Sequence, residues 1–245
     1  MSKGFFVDTT RCTACRGCQV ACKQWHGNPA TPTENTGFHQ NPPDFNFHTY
    51  KLVRMHEQEI DGRIDWLFFP DQCRHCIAPP CKATADMEDE SAIIHDDATG
   101  CVLFTPKTKD LEDYESVISA CPYDVPRKVA ESNQMAKCDM CIDRITNGLR
   151  PACVTSCPTG AMNFGDLKEM QAMAKARLAE IQKAYPNAKL CDPDDVRVIF
   201  LVAHDPKLYH EYAVADAQAP RQMTRKSLLA ELVRPLRRSG SRLFG

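Results

Sequence analysis

Cys12-Thr13-Ala14-Cys15-Arg16-Gly17-Cys18-Gln19-Val20-Ala21-Cys22 places four cysteines at spacings of x2, x2 and x3. In a bacterial ferredoxin run of this kind, three thiolates hold one [4Fe–4S] cluster and the fourth reaches across to another. A second run, Cys138-x2-Cys141-x11-Cys153-x3-Cys157-Pro158, is a stretched version of the first and supplies the partner it requires. With the fourth cysteines exchanged, Cys12, Cys15, Cys18 and Cys157 bind one cluster, and Cys22, Cys138, Cys141 and Cys153 bind its neighbour. The segment from Cys18 to Cys22 spans at most about 14 Å extended and about 6 Å if helical, so the two clusters must be close. Such neighbours suit the movement of single electrons.

The middle of the chain is an incomplete copy. Cys73-x2-Cys76-x4-Cys81 begins another ferredoxin run, but its fourth position is Ala85. Counting back from Cys121-Pro122 by the ferredoxin spacing reaches Leu111, Tyr114 and Val117 instead of thiolates. The missing ligands are those of one cluster, and Cys73, Cys76, Cys81 and Cys121 are those of the other. Three [4Fe–4S] clusters on twelve cysteines follow, with a fourth site filled by apolar side chains.

Two other uses of cysteine compete with this reading. Cys138-x2-Cys141 with Cys153-x3-Cys157 alone would pass for a four-thiolate zinc scaffold, the signature of an interaction protein. Four cysteines between 12 and 22 fit one tetrahedral zinc poorly, whereas thiolates at x2 spacing suit the corners of a cubane. A disulfide framework belongs to chains too small to build a core, and 245 residues can bury one. The two remaining cysteines, Cys101 in an alternating Gly100–Phe104 stretch and Cys191 before the turn-like Asp192-Pro193-Asp194-Asp195, read as small buried groups. His75, between two ligands, reads as a donor behind them or a loop residue. Arg11, Arg16, Lys23, Arg74, Lys82 and Lys137 are the basic neighbours able to tune cluster potentials.

The net charge of −2 is unevenly spread. From Ala219 to Gly245 there are seven basic residues (Arg221, Arg225, Lys226, Arg234, Arg237, Arg238 and Arg242) against one acid, Glu231, which leaves the remainder acidic. An acidic body argues against nucleic acid and suits a basic redox partner. The longest strongly apolar run, Val198 to Ala203, is far short of a membrane span. The N-terminus reads as a first strand and not as a secretory signal. No Walker loop, dinucleotide fingerprint or Ser-His-Asp cue points to a catalytic site, pterin, flavin or haem in this chain.

The expected fold class is α+β. Short strands are expected over Phe5–Val7, Trp66–Phe69, Ala92–His95, Val102–Thr105 and Ala161–Phe164, each near a cysteine block. Residues 26–48, rich in Pro, Asn, Thr and His, read as an ordered loop or partner-wrapping arm. Asp166 caps a helix with Glu169 three residues on and a stripe of Leu167, Met170, Ala174, Leu178, Ile181 and Tyr185, followed by a buried strand over Val196–Val202. In the tail, Leu228, Leu229, Leu232, Val233 and Leu236 form an amphipathic basic stripe interrupted by Pro235, suited to a partner or an anionic membrane.

The cysteine blocks in this order resemble the iron–sulfur subunits of molybdopterin oxidoreductases over residues 1 to about 166. The resemblance implies two ferredoxin-like modules, 66–129 inserted between 1–25 and 130–166, with 26–65 as an insertion, 167–215 as a helix–strand extension and 216–245 as a basic tail. The run from Cys12 to Trp25 looks most like formate dehydrogenase beta subunits, and the lost fourth cluster looks like the small subunit of the soluble periplasmic type. A large catalytic subunit would then carry molybdenum or tungsten on pterin and interconvert formate and carbon dioxide. The clusters would be ordered from Cys12/Cys15/Cys18/Cys157 at the catalytic subunit, through Cys22/Cys138/Cys141/Cys153, to Cys73/Cys76/Cys81/Cys121 at a soluble acceptor such as a multihaem cytochrome c. The resemblance also implies a periplasmic location, with export beside a twin-arginine-tagged partner; the alternative is cytoplasmic. The same wire could serve another molybdopterin enzyme, such as a sulfur-compound reductase.

Overall fold

Phe5, Phe6 and Val7 are consecutive apolar residues, and strands that read this way are buried on both faces. In a computed structural model, which describes residues 2–34 and 37–215, they form the middle of β1 (Lys3–Asp8). β1 pairs in parallel with Val198–Val202 and antiparallel with Met162–Asp166. The elements in chain order are β1, α1 (Gly17–Trp25), β2 (Leu52–Ile60), β3 (Arg63–Asp71), α2 (Pro80–Ala85), β4 (Ile93–His95), β5 (Val102–Phe104), α3 (Tyr114–Ser119), β6 (Arg127–Lys128), β7 (Met135–Ala136), α4 (Ile142–Thr146), α5 (Ala152–Thr155), β8 (Met162–Asp166), α6 (Leu167–Ile181), β9 (Lys189–Cys191), β10 (Val198–Val202) and α7 (Pro206–Tyr209). This is a mixed α+β protein with small sheets.

The one larger sheet has strand order β8-β1-β10-β9. Successive residues of a strand point to opposite faces, and the sheet divides its apolar side chains accordingly. Phe5, Val7, Val198, Phe200 and Val202 join a core with Phe69, Met140, Cys18, Cys153 and Met162. Phe6, Ile199 and Leu201 face a second core containing Met170 and Ala174 of α6. The sheet therefore brings the ends of residues 1–25 and 162–166 together with β10 from the later extension. A boundary at 166/167 runs through a single sheet.

Helix α6 has Asp166 at its N-cap, but the side chain makes no capping bond. The expected cap is corrected: Asp166 instead accepts a 2.7 Å hydrogen bond from Lys3 Nζ, tying the helix start to β1. Of the predicted stripe, Met170 and Ala174 are buried. Tyr185 lies past the end of the helix and is 42% exposed.

Strand β2 has no counterpart among the predicted strands. It pairs with β3 from Leu52↔Asp71 to Ile60↔Arg63, joined by Asp61-Gly62 with φ of 51° and 76°, the two left-handed residues that a tight hairpin turn requires. The hairpin base is buried and its tip is exposed. Its base delivers Asp71 and Gln72 directly into the Cys73 loop. Among the described residues no helix is long and apolar enough to cross a membrane. The amphipathic stripe at Leu228–Leu236 and the basic residues of 216–245 lie outside the described residues.

Candidate iron–sulfur centres

Three of the four Cys-x2-Cys pieces share one backbone shape. Ala14, His75 and Met140, each third in its piece, have left-handed φ values of 50°, 45° and 64°. That conformation turns the residue's N–H back onto the first sulfur. His75 N donates to Cys73 Sγ at 3.3 Å and Met140 N to Cys138 Sγ at 3.5 Å, and the Ala14 amide does the same for Cys12. The two Cys-Pro pieces also share a shape. Asp124 and Gly160, three residues past Cys121 and Cys157, have φ of 45° and 68°, and the amides on either side of each donate to the cysteine sulfur. Repetition seen in the spacing is thus repetition of backbone conformation.

These loops gather the sulfurs into sets. Cys12, Cys15, Cys18 and Cys157 line one pocket, closed by Val53, Pro70 and Met162. Cys18 and Cys22 lie four apart on α1, on its buried side, and Cys22 faces Cys153 and Cys141, with Cys138 adjoining Cys22 and Cys153. Cys76 neighbours Cys73, Cys121 and Cys81. The sets form a line: Cys18 of the first adjoins Cys153 of the second, and Cys138 of the second adjoins Cys73 of the third. All four cysteines of the middle set are buried, whereas Cys15 is exposed, and Cys12, Cys157, Cys76 and Cys121 are half-buried. At the position of the missing set, Ala85, Leu111 and Val117 pack with Cys81, Ile93 and Met135, and Tyr114 lies against them.

The chemistry of the donors fits a cationic cluster. All fourteen cysteines are free thiols. Burial, then the backbone and neighbouring thiols, sets the Cys12 thiol at about 11. Burial pushes Cys81 and Cys153 up to about 12 and Cys121 and Cys141 up to about 11; Cys22, Cys76 and Cys138 also move up. Cys157 moves the other way: burial raises it, but the amides of Met162, Thr159 and Ala161 and the Thr159 hydroxyl outweigh that and lower it. Buried sulfurs that resist ionisation alone and stand in sets of four are the soft donor set of an iron–sulfur cluster, whose iron supplies the compensating charge.

The remaining candidates fall into place around the sets. Val102 N donates to His75 Nδ1 at 3.1 Å; burial lowers the imidazole well below its ordinary value. Cys101 is fully buried and its thiol donates to the Asp139 carbonyl at 2.8 Å. Cys191 is buried at the end of β9. Of the six basic neighbours only Arg74 and Lys137 are buried. Sequence reasoning missed Lys51, which is 2% exposed and reaches the first two sets, and Asp71, which holds Arg54 and Arg74 at 2.7 and 2.6 Å. Neither has a local cue, because both are recruited by the unpredicted hairpin.

Comparison with known proteins points to the same iron–sulfur chemistry. The family described as 4Fe-4S dicluster domain matches residues 64–167. "Formate dehydrogenase subunit beta" of Megalodesulfovibrio gigas is 96% identical over 215 residues, covering 88% of this chain and 100% of that protein. "Formate dehydrogenase 2 subunit beta (cytochrome c-553)" of Nitratidesulfovibrio vulgaris is 50% identical over 216 residues, 87% of this chain and 99% of that protein. "Formate dehydrogenase-O iron-sulfur subunit" of Escherichia coli is 37% identical over 210 residues, 83% and 68% respectively. The sulfur sets and these likenesses together mean that the chain belongs to the family of formate dehydrogenase iron–sulfur (beta) subunits.

Proposed function

We propose that this chain is the electron-transfer subunit of a formate dehydrogenase, carrying three [4Fe–4S] clusters. It conducts electrons between a molybdopterin catalytic subunit, holding molybdenum or tungsten and oxidising formate to carbon dioxide or the reverse, and an external acceptor. Cys12, Cys15, Cys18 and Cys157 would hold one cluster, Cys22, Cys138, Cys141 and Cys153 the next, and Cys73, Cys76, Cys81 and Cys121 the last. When bound, these groups supply one-electron redox chemistry. The chain's own residues orient the thiolates through amide hydrogen bonds and keep water from the middle set. It has no catalytic site of its own.

One observation carries the reading: the wholly buried middle set lies between two sets whose sulfurs reach the surface. A conductor needs an entry, an insulated interior and an exit. By the family's arrangement the first set faces the catalytic subunit and the third faces the acceptor. A basic cytochrome c suits the third set. Beside Cys76, Ile77 is 40% exposed, its amide donates to the Asp195 carbonyl at 2.9 Å, and Asp194 and Asp195 are exposed. The relative named for cytochrome c-553 supports the same acceptor class. We place the complex in the periplasm, exported with its catalytic partner.

Iron analysis of the chain after cluster reconstitution tests the reading. About twelve iron atoms are expected, as three four-iron cubanes require. About sixteen, or a single zinc per cysteine set, overturns it. In the native complex, formate should reduce an artificial dye, and a complex without that activity refutes the formate assignment.

A further inference from the structure

Lys51 is almost wholly buried. Its Nζ donates to the Pro70 carbonyl and, at 2.8 Å, to Gln72 Oε1, and lies 3.6 Å from Met162 Sδ. Pro70 and Met162 both line the pocket of the first cysteine set. The ammonium acts on Cys12 and Cys18 of that set and also on Cys22 and Cys153 of the second. Lys137 is 6% exposed. Its Nζ donates to the Val102 carbonyl and, at 3.0 Å, to the Cys138 carbonyl, and stands 4.9 Å from the centre of the Phe104 ring. Its charge acts on Cys138 of the second set and on Cys73 and Cys81 of the third. Three sets in a line have two junctions, and each junction holds one buried lysine.

Each ammonium hydrogen-bonds only neutral acceptors among the described residues. Asp139, which also feels Lys137, has its carboxylate engaged by His26 at 2.9 Å and the Cys141 amide at 2.8 Å. A buried cation without an anionic partner is strongly disfavoured. The negative charge that justifies both lysines is that of the thiolate sets on either side, once they hold iron. A fixed positive charge favours the more negative, reduced state of whatever it adjoins.

We propose that Lys51 and Lys137 are positioning residues for the transferred electron, each fixing one positive charge at a junction and raising the reduction potential on both sides of it. This rests on the three-cluster reading. The step concerned moves one electron, with no bond made and no proton transferred, so the oxidation on one side of each lysine equals the reduction on the other. Removing a charge shared by two neighbours should lower both potentials together and leave the third unchanged.

The test is a redox titration followed by electron paramagnetic resonance on the complex of this chain with its catalytic subunit. Lys51→Gln should shift the signals of the first and second sets by about tenfold in their reduction equilibria, about 59 mV each for one electron, and leave the third in place. Lys137→Gln should shift the second and third and spare the first. Lys51→Arg and Lys137→Arg, which keep the charge, should leave all three near wild type. Should a Gln variant fail to assemble, Lys51→Met or Lys137→Met removes the same charge with a side chain that brings no buried amide of its own to satisfy. Three intact signals with unchanged potentials, or a shift in one cluster alone, overturn the role of the lysines while leaving the wire in place. Fewer than three signals in the wild-type complex overturn the three-cluster reading instead. Assembly of the Arg variants with failure of every charge-removing variant would make the lysines folding counter-charges and overturn the proposal.

Discussion

Asp71→Asn should be among the most destabilising single changes outside the cysteines. Asp71 is fully buried and bonds Arg54 Nε at 2.7 Å and Arg74 Nη1 at 2.6 Å. The loss falls unequally on the two arginines. Arg54 keeps Asp44 at 2.8 Å, whereas among the described residues Arg74 retains only the Gln72 carbonyl and the faces of Phe69, Tyr123 and Phe200, 5.2, 4.9 and 4.5 Å away. Leaving such a buried charge without its partner costs about 3–5 kcal/mol, or roughly 10 °C of melting temperature for a chain of this size. Arg74 separates Cys73 from His75, so loss of its anchor should also loosen the third cysteine set, and iron per chain should fall from about twelve towards eight. Burial pushes the Asp71 carboxyl up, but Arg74 and Arg54 outweigh it and hold it below the ordinary aspartate value of 3.8. Its contribution is therefore present above that value and lost as pH falls through the depressed one; the wild type should lose more stability there than Asp71→Asn, in which Asp44 and Asp139 remain depressed. Thermal melting of the assembled complex across pH, with iron analysis, measures both. Arg74→Met in the Asp71→Asn background should recover much of the loss, since Met suits the aromatic cage. A single mutant within about 1 kcal/mol of wild type, or a double mutant worse than the sum of the singles, would refute this account.

Cys22→Ser should damage the cluster held by Cys138, Cys141 and Cys153 and spare that of its sequence neighbours; spectroscopic loss of the Cys12/Cys15/Cys18 cluster alone would refute the exchange of fourth ligands. Cys121→Ala in assembled complex should slow transfer to a protein acceptor sharply while dye reduction at the catalytic subunit persists, and equal loss of both activities would place the third set on the inner path. Asp194→Lys with Asp195→Lys should weaken association with a basic cytochrome and flatten its salt dependence, both read from stopped-flow rates at several ionic strengths. Leu111→Ala, at a site 2% exposed within the apolar replacement of the fourth set, should cost about 2–5 kcal/mol in urea unfolding without changing iron content.

What could be read from the sequence was what repeats. Cysteine spacing announces sets of four because a cubane demands fixed loops, and the apolar residues at 85, 111, 114 and 117 announce a filled space by the same counting. Strand β2 was not legible because its base is buried on both faces and its outer half, though it alternates half-buried and exposed, carries the polar run His56-Glu57-Gln58-Glu59, so the sequence lacks the apolar/polar alternation that marks a half-buried strand. The place of β10 was hidden for a different reason. Its apolar run predicts a buried strand, but only long-range packing decides that it lies between β1 and β9. Lys51 was missed because nothing near Tyr50 or Leu52 tells a buried lysine from an exposed one; the hairpin and the fold around it decide.

The left-handed residues Ala14, His75 and Met140 bear on how fast the conductor can run. A non-glycine residue in that region costs about 1–2 kcal/mol, and here the surrounding core holds all three in place, each buried to 4% exposure or less. Loops locked in this way keep their N–H dipoles aimed at the sulfurs whichever charge state the site is in. Little nuclear motion then accompanies the arrival or departure of an electron, and the reorganisation energy, which enters the transfer rate exponentially, stays small. Replacing Ala14 by glycine would relieve the strain and also release the loop, so a more comfortable backbone would make a slower conductor.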